Sequence, residues 1–575
     1  MKQRPVQALK PAPSPTPELT PAPKQSSGQH PVPHPVQFLF IIFAMALLLI
    51  PSVGMTWART DGTTENRELA TIPSLTSEDG EINAFYPSEL GVFFEDHFAY
   101  RNEAVSLNAR LRASIFGVSA SDQVVVGSDG WLYFGGTIDD YVGATPLTER
   151  ELRSIAHNLF LMQTYAEAQG AQFAFTIAPN KNSLYPEHMP AFYLPSPEAS
   201  NASRLVSYLE EYGVNYVDSF SVLESAKAGV GGVKAGVGTG TAATNAGAKA
   251  GGAKAGASGG PVDDADTPIP LYLLRDSHWN NWGAYLVDTA LAENLRLAPL
   301  EADEWTKRVD SVGDLDSMLF PDMTTPESQF YLMGINDEPT PFSEASAAMA
   351  TPAAIGDVNG WAYAGEAHDV ETDLSQTKGE GTGVLVAYRD SFGNALLPYL
   401  ATQTSSAEFS KLVPYNALRV SELKADYVLV ERAERHIDYL AQAAPIMPCP
   451  TVPIDTGEAK PDTVAQEKST CEVGKNGPLV SVSGEIDPRI ITNDSVIYVS
   501  LEQDEAAETN AGKQTESPQE YVFETFMLSS AATDLDNGYL AYFPETLLLG
   551  GKNVIKVFVS QGDELFLIQS VEYHE

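Results

Sequence analysis

A chain of 575 residues with 35 basic and 76 acidic side chains is too long for one ordinary core, and its net charge of −41 repels a nucleic-acid backbone. Its hydrophobic content of 43% is that of a folded protein, so the charge does not signal wholesale disorder. Two cysteines, Cys449 and Cys471, allow one disulfide, and the compartment decides whether it is expected.

Residues 1–35, with "KPAPSPTPELTPAPK" at their centre, are too proline-rich to form a core and predict a disordered tail. Residues 36–57, "VQFLFIIFAMALLLIPSVGMTW", carry no charge. A run of about 20 such residues predicts a helix crossing the roughly 30 Å hydrocarbon layer, with a cleaved signal peptide as the alternative. Lys2, Arg4, Lys10 and Lys24 stand against Glu18 alone, which predicts a cytoplasmic tail, a single-pass anchor in the cell membrane and an extracytoplasmic remainder. In that compartment a Cys449–Cys471 disulfide is expected.

From about residue 65 the texture is globular. "TERELRSIAHNLFLMQTYAEAQG" predicts a helix capped by Thr148 with Glu151 as its capping-box partner, an apolar stripe at Leu152, Ile155, Leu159 and Met162, and an end at Gly170. "AQFAFTIAPNK", "VNYVD", "PLYLLRD", "GVLVAYRD" and "ADYVLVERA" predict strands, interleaved with the helical stretches "RLVSYLEEYG", "WGAYLVDTALAENL" and "GNALLPYLATQ". This alternation predicts a mostly parallel sheet covered by helices on both faces. Residues 226–260 are nearly all Ala, Gly, Lys, Val and Thr and predict a flexible insertion. After "AAPIMPCP", the β-rich runs "LVSVSGEI", "SVIYVSLE", "YVFETFML", "NVIKVFVS" and "ELFLIQSV" predict an all-β sandwich. The expected organisation is a tail at 1–35, an anchor at 36–57, an α/β domain at 58–445, a linker at 446–474 and a β-sandwich at 475–575.

Two stretches could carry chemistry, "LRDSHWNNWG" and "VAYRDSFGNA". In each an apolar strand is expected to end just before a polar turn and a helix start, where open α/β sheets bind ligands. Ser391 would expose its hydroxyl there, with helix N–H groups behind it. A serine hydroxyl becomes a nucleophile when an imidazole takes its proton, and a carboxylate on the other ring nitrogen fixes the tautomer. On this reading Ser391 is the nucleophile, His278 the general base and Asp276 the orienting acid. Asp and Ser ahead of a helix are also common N-caps, so spacing alone leaves a purely structural reading open. No histidine spacing such as HExxH is present, so no metal or other cofactor is expected.

Six ordered stretches strengthen the catalytic reading: "ENREL" at 65–69, "FFEDHFAYRN" at 93–102, "VVVGSDGWLYF" at 124–134, "IAPNKNSLYPEHMP" at 177–190, "DSHWNNWGA" at 276–284 and "RDSFGNALLPYL" at 389–400. With "ADYVLVERAER" they resemble the AlgJ/AlgX-like, or DHHW, alginate O-acetyltransferase family of the SGNH-hydrolase superfamily, over about residues 65–445. The resemblance implies an SGNH-hydrolase-like, flavodoxin-like three-layer α/β/α sandwich and a Ser–His–Asp triad in which the Asp-x-His pair precedes the serine. It also implies a membrane-bound O-acyltransferase partner that supplies acetyl groups. The glycine and asparagine that complete the oxyanion hole of ordinary SGNH enzymes have no clear match. Asn394 and Asn180 are the candidates, with the Ser391 N–H beside them, and Trp279 and Arg389 are candidate cleft residues. Asp96, His97 and Arg101 are read as a bracing cluster, and Trp131, Tyr133 and Trp282 as packing residues. The resulting expectation is a membrane-anchored O-acetyltransferase or esterase acting on an envelope polysaccharide. The rival is a non-catalytic glycan-binding protein on a retired SGNH fold.

Overall fold

The computed structural model describes residues 34–55, 70–76, 82–116, 119–229, 269–300, 304–320, 324–336, 374–378, 381–503, 520–530, 535–548 and 552–574. The chain divides into two units, Met1–Gly62 with Glu68–Arg101, and Thr63–Arg67 with Asn102–Glu575. Expectations for residues 1–33, Trp57 and "ENREL", and for the insertion beyond residue 229, lie outside the described residues.

The smaller unit holds a helix at His34–Gly54 and another at Tyr86–His97. Among the described residues no helix is long and apolar enough to cross a membrane, which corrects the expected transmembrane anchor. The unbroken apolar run, 38–50, lies between Gln37 and Pro51. At 1.5 Å per residue it spans only about 20 Å of the roughly 30 Å a bilayer core requires. The expected single-pass topology, and the sidedness and attachment inferred from it, therefore have no described helix to support them. Within this unit Asp96 accepts a hydrogen bond from the Ala70 N–H at 2.9 Å, and the Arg101 Nε donates to the Glu95 carbonyl at 2.9 Å.

The larger unit has a mixed α/β architecture with several sheets. Its main sheet contains β1 (Gln172–Ala178), β2 (Tyr216–Val217), β3 (Leu374–Lys378), β4 (Val384–Tyr388), β5 (Ser406–Ser410) and β6 (Tyr427–Ala433), in the spatial order β2-β1-β6-β4-β5-β3. All neighbours are parallel except the edge pair β3–β5. The longer helices that cover it are α1 (Glu149–Ala168), α2 (Asn201–Tyr212), α3 (Ser219–Lys227), α4 (Asn281–Leu295) and α5 (Gly393–Gln403). Strand side chains alternate between two apolar clusters. Phe173, Phe175, Ile177, Val386, Tyr388, Val428 and Val430 join α1 and α2, whereas Ala174, Ala178, Leu385, Ala387 and Leu429 join α3, α4 and α5. Both faces are therefore covered, as a parallel sheet requires. The α1 capping box forms between Thr148 and Glu151, as the sequence predicts.

"PLYLLRD" does not become a sheet strand. Its one ladder contact is an isolated bridge between Tyr272 and Trp279, so the segment is a loop folded back on itself. Gly283 lets α4 approach this loop, because a Cβ there would meet the Leu271 carbonyl at 2.5 Å.

Two further sheets follow, antiparallel throughout except for the parallel edge pair Lys460–Pro461 with Glu564–His574. One runs Lys460–Pro461, Glu564–His574, Lys552–Gln561, Ile497–Gln503, Glu520–Glu524, and the other Glu472–Asn476, Leu479–Glu485, Leu535–Pro544, Phe526–Ser530. "YVFETFML" breaks at Thr525 and supplies one strand to each sheet. Cys449 and Cys471 are free thiols, which corrects the expected disulfide. The Cys449 sulfur accepts the Tyr542 N–H, and burial pushes its thiol up to about 12.

α1 joins these sheets to the α/β layers, and its Leu152, Ile155, Leu159 and Met162 share one cluster with Val480, Val499, Phe526 and Val557. Buried Arg150 donates to the carbonyls of Asp536 (2.7 Å), Thr492 (2.8 Å) and Ser495 (3.0 Å), and burial pushes its guanidinium down to about 10. Asn158 pairs with both the N–H and the carbonyl of Met527. Arg150→Met would remove the guanidinium from three carbonyls, of which Thr492 keeps the Ser495 N–H, and it is expected to lower unfolding free energy by about 3 kcal/mol in urea titration. A loss under about 1 kcal/mol would show that the carbonyls find other donors.

Candidate functional site

β1, β6 and β4 are adjacent and parallel, so their carboxyl ends emerge side by side. Beyond them lie Asn180, the run Glu434–Arg435–His436, and the run Arg389–Asp390–Ser391. The 272–280 loop crosses this edge and brings the Asp276–His278 pair to Ser391. The His278 Nε2 lies 2.8 Å from the Ser391 Oγ, and its Nδ1 lies 2.8 Å from the Asp276 Oδ1. With the proton on Nδ1, the ring donates to the carboxylate and accepts from the serine hydroxyl. The two residues thus reach the serine from a loop folded back on itself, not from a turn at the end of a sheet strand as expected.

The electrostatics follow from enclosure and pairing. Burial works to raise the Asp276 carboxyl, but the hydrogen bonds and charge of His278 outweigh it and hold the group below its ordinary 3.8. Burial works to lower the His278 imidazole, but the Asp276 hydrogen bond and the Asp276 and Asp314 charges raise it above its ordinary 6.5. The raised His278 adds stability that is complete below 6.5 and lost as pH climbs through its folded value. The lowered Asp276 adds stability present above 3.8 and lost as pH falls through its folded value.

Four supports escaped the sequence reading. Asp314 accepts from the Ser277 N–H at 2.7 Å and the Ser277 hydroxyl at 2.5 Å, and its own N–H points at the Asp276 Oδ2 at 3.3 Å. This approach needs Gly313, where a Cβ would fall 2.1 Å from the Arg275 carbonyl. Lys181 is 3% exposed and donates to the carbonyls of Leu274 (2.7 Å), Leu132 (2.8 Å) and Asp276 (2.9 Å). Burial pushes its ammonium down to about 7 against the pull of Asp276, Glu327 and Asp314. Glu327 accepts the Leu274 and Arg275 N–H groups, both at 2.7 Å. Asp390, next to the serine, accepts from the Phe392 and Ala433 N–H groups and faces the His436 Nδ1 at 3.2 Å. Lys181 and Asp390 stood inside the quoted motifs, but nothing in their spacing told a loop clamp from a surface charge.

The remaining candidates separate. Trp279 is 3% exposed and donates to the Phe392 carbonyl at 3.0 Å, so it straps the histidine loop to the serine loop and does not line a cleft. Arg389 is buried and donates to the Asn394 Oδ1 at 2.5 Å and the Asp390 carbonyl, which commits it to shaping the turn. Asn180 is 1% exposed, and neither atom of its carboxamide has a partner among the described residues. Trp131 and Tyr133 are buried and receive the Lys181 ammonium on their ring faces. The donor atoms of Asp276, His278 and Asp314 lie within 4.8 Å of one another, a set able to hold a metal ion. A cavity of about 410 Å³ lies beside the same loop, lined by Tyr272, Arg275, Asn280, Lys307 and Glu327, without Ser391 or His278.

Comparison with known proteins adds one family match. Residues 124–233 match the family described as an SGNH hydrolase-like domain, acetyltransferase AlgX. The match covers less than half of the chain and stops before Asp276. The chain is distantly similar to the SGNH-hydrolase-like acetyltransferases. Similar solved structures include the O-acetyltransferase domain of Pseudomonas putida AlgJ, at 14% identity and TM-score 0.30, covering 55% of this chain and 92% of that one. Bacillus cereus PatB1 stands at 14% identity and TM-score 0.34, covering 55% and 96%. Pseudomonas aeruginosa AlgX stands at 12% and 0.28, covering 76% and 94%. No curated protein matches the chain. The matching domain gives the chain enzymatic potential. Nothing in these similarities supports the expected membrane-bound acyltransferase partner, and the polysaccharide expectation rests on family resemblance alone.

Asp276→Asn is expected to lower the His278 titration midpoint, read by NMR on histidine-labelled full-length protein. An unchanged midpoint would show that the carboxylate does not act on the ring.

Proposed function

We propose that the protein is a serine-dependent acyl-transfer enzyme of the SGNH-hydrolase and acetyltransferase type, acting on carboxylic esters through an acyl-enzyme on Ser391. The observation that carries this reading is the continuous chain from the Asp276 carboxylate through His278 to the Ser391 hydroxyl, each contact at 2.8 Å. The names of the similar structures, an O-acetyltransferase domain among them, favour acetyl as the transferred group.

The chemistry runs as follows. The Ser391 Oγ attacks the ester carbonyl while His278 Nε2 takes its proton, and Asp276 steadies the imidazolium that forms. The tetrahedral intermediate collapses, and the departing alkoxide takes the proton from Nε2. A second hydroxyl, from water or an alcohol, then gives its proton to Nε2 and attacks the acyl-serine; as this intermediate collapses, Nε2 returns the proton to the departing Ser391 Oγ. Among the described residues the Ser391 N–H has no hydrogen-bond partner, which leaves it available to the developing oxyanion. The unpartnered Asn180 carboxamide is the candidate for a second donor. A raised imidazole needs higher pH to be a free base, so activity on a neutral ester should rise through a midpoint above 6.5.

Ser391→Ala is expected to lower kcat on 4-nitrophenyl acetate by about 10³-fold or more, with an unchanged unfolding midpoint. Wild-type rates in the variant would remove Ser391 as the nucleophile.

A further inference from the structure

We infer that Arg435 forms an anion subsite beside Ser391, receiving a carboxylate carried by the ester on its acyl or its alcohol side. The inference rests on the reading of Ser391 as the nucleophile.

Arg435 stands two residues beyond the end of β6. Its guanidinium carbon lies 5.1 Å from the centre of the Phe392 ring and 5.4 Å from that of Phe134, so two aromatic rings carry the cation. Phe392 adjoins Ser391 in sequence, and its ring meets the His278 imidazole edge-on with centroids 4.8 Å apart. One aromatic ring therefore touches both the base and the guanidinium. The cation's field reaches the pair, since Arg435 opposes the rise in the His278 pKa.

Among the described residues nothing accepts a hydrogen bond from Arg435, and its Nε is enclosed without a partner. This is unusual in a chain with 76 acidic and 35 basic side chains. Other arginines here find carboxylates: Arg419 pairs with Glu408 and Glu422, Arg275 with Asp316, and Arg153 with Glu211. The acids near Arg435 make their hydrogen bonds elsewhere, although the Asp390 charge feels the guanidinium. Asp390 faces His436 and two N–H groups, and Glu434 accepts from the Ser183 hydroxyl and the Asn180 N–H. The enclosed Nε is out of an anion's reach, but the terminal nitrogens also lack an acceptor among the described residues, and a bound anion would supply one. A guanidinium presents its donors in a planar fork that matches a carboxylate, and aromatic faces tolerate it without competing for those donors. The net charge of −41 repels anions at long range, so recognition of one must be local.

The test compares three esters: neutral 4-nitrophenyl acetate, 4-nitrophenyl hemisuccinate with the anion on the acyl side, and 3-carboxy-4-nitrophenyl acetate with the anion on the alcohol side. In Arg435→Gln the ratio of kcat/KM for one anionic ester to that for the neutral ester should fall about 10-fold or more, and Arg435→Lys should restore part of it. Which ester responds identifies the side that carries the anion. Equal losses on all three esters, or no loss, would overturn the subsite. A second arm needs no turnover: succinate should slow phenylglyoxal modification of Arg435, read by peptide mapping, in wild type and in Ser391→Ala alike. Absence of protection in both would overturn the subsite even where Ser391 proves catalytic, and protection without turnover would keep the subsite while the enzymatic reading fell.

Discussion

The Lys181 ammonium sits out of water and holds the carbonyls of Leu132, Leu274 and Asp276, drawn from two segments distant in sequence. That constraint matters because the 272–280 loop has only one ladder contact, the Tyr272–Trp279 bridge, to fix its shape. A strand in a sheet is aligned by its neighbours, whereas a loop needs side chains to do that work. Here Lys181 grips the carbonyls, Glu327 grips the N–H groups at Leu274 and Arg275, and Asp314 grips Ser277. Burying an ammonium is costly, and the drop of its pKa to about 7 records that cost. Three carbonyl acceptors and two aromatic faces offset it.

The serine side is built on the opposite charge. Asp390 is held well below the ordinary carboxylate range: burial opposes ionisation, but His436, Arg432 and Arg435 prevail. By accepting the Phe392 and Ala433 N–H groups it ties the end of β4 to the end of β6 around Ser391. Trp279 then joins the two halves through the Phe392 carbonyl. A cationic clamp under the histidine loop and an anionic clamp under the serine turn thus fix a contact between residues more than a hundred positions apart.

The sequence made the periodic elements legible. The α1 stripe and its capping box, the apolar runs of β1, β4 and β6, and the turn that exposes Ser391 all follow from local patterns. It misled where composition mimics a pattern that tertiary context overrides. "PLYLLRD" has the apolar run of a buried strand, but Leu271 and Tyr272 are buried in a loop against α4 and β1 residues. Residues 36–57 read as a span because they carry no charge, but no helix among the described residues is long and apolar enough to cross a membrane. Cys449 and Cys471 were expected to pair because of the extracytoplasmic compartment, yet each is a free thiol, with Cys449 facing Tyr542 and Cys471 facing Tyr539. Asp314, Lys181 and Arg435 were hidden for another reason: their roles depend on which loop passes beside them.

The central claim is that Ser391 carries the acyl group during turnover. Full-length protein mixed with an acetyl ester, quenched in acid within the first turnovers and mapped by peptide mass spectrometry tests it directly. The account predicts one acetyl group on the peptide holding Ser391, accumulating in wild type and absent from His278→Ala. Acetylation of another residue, or ester consumption with Ser391 never modified, would contradict it.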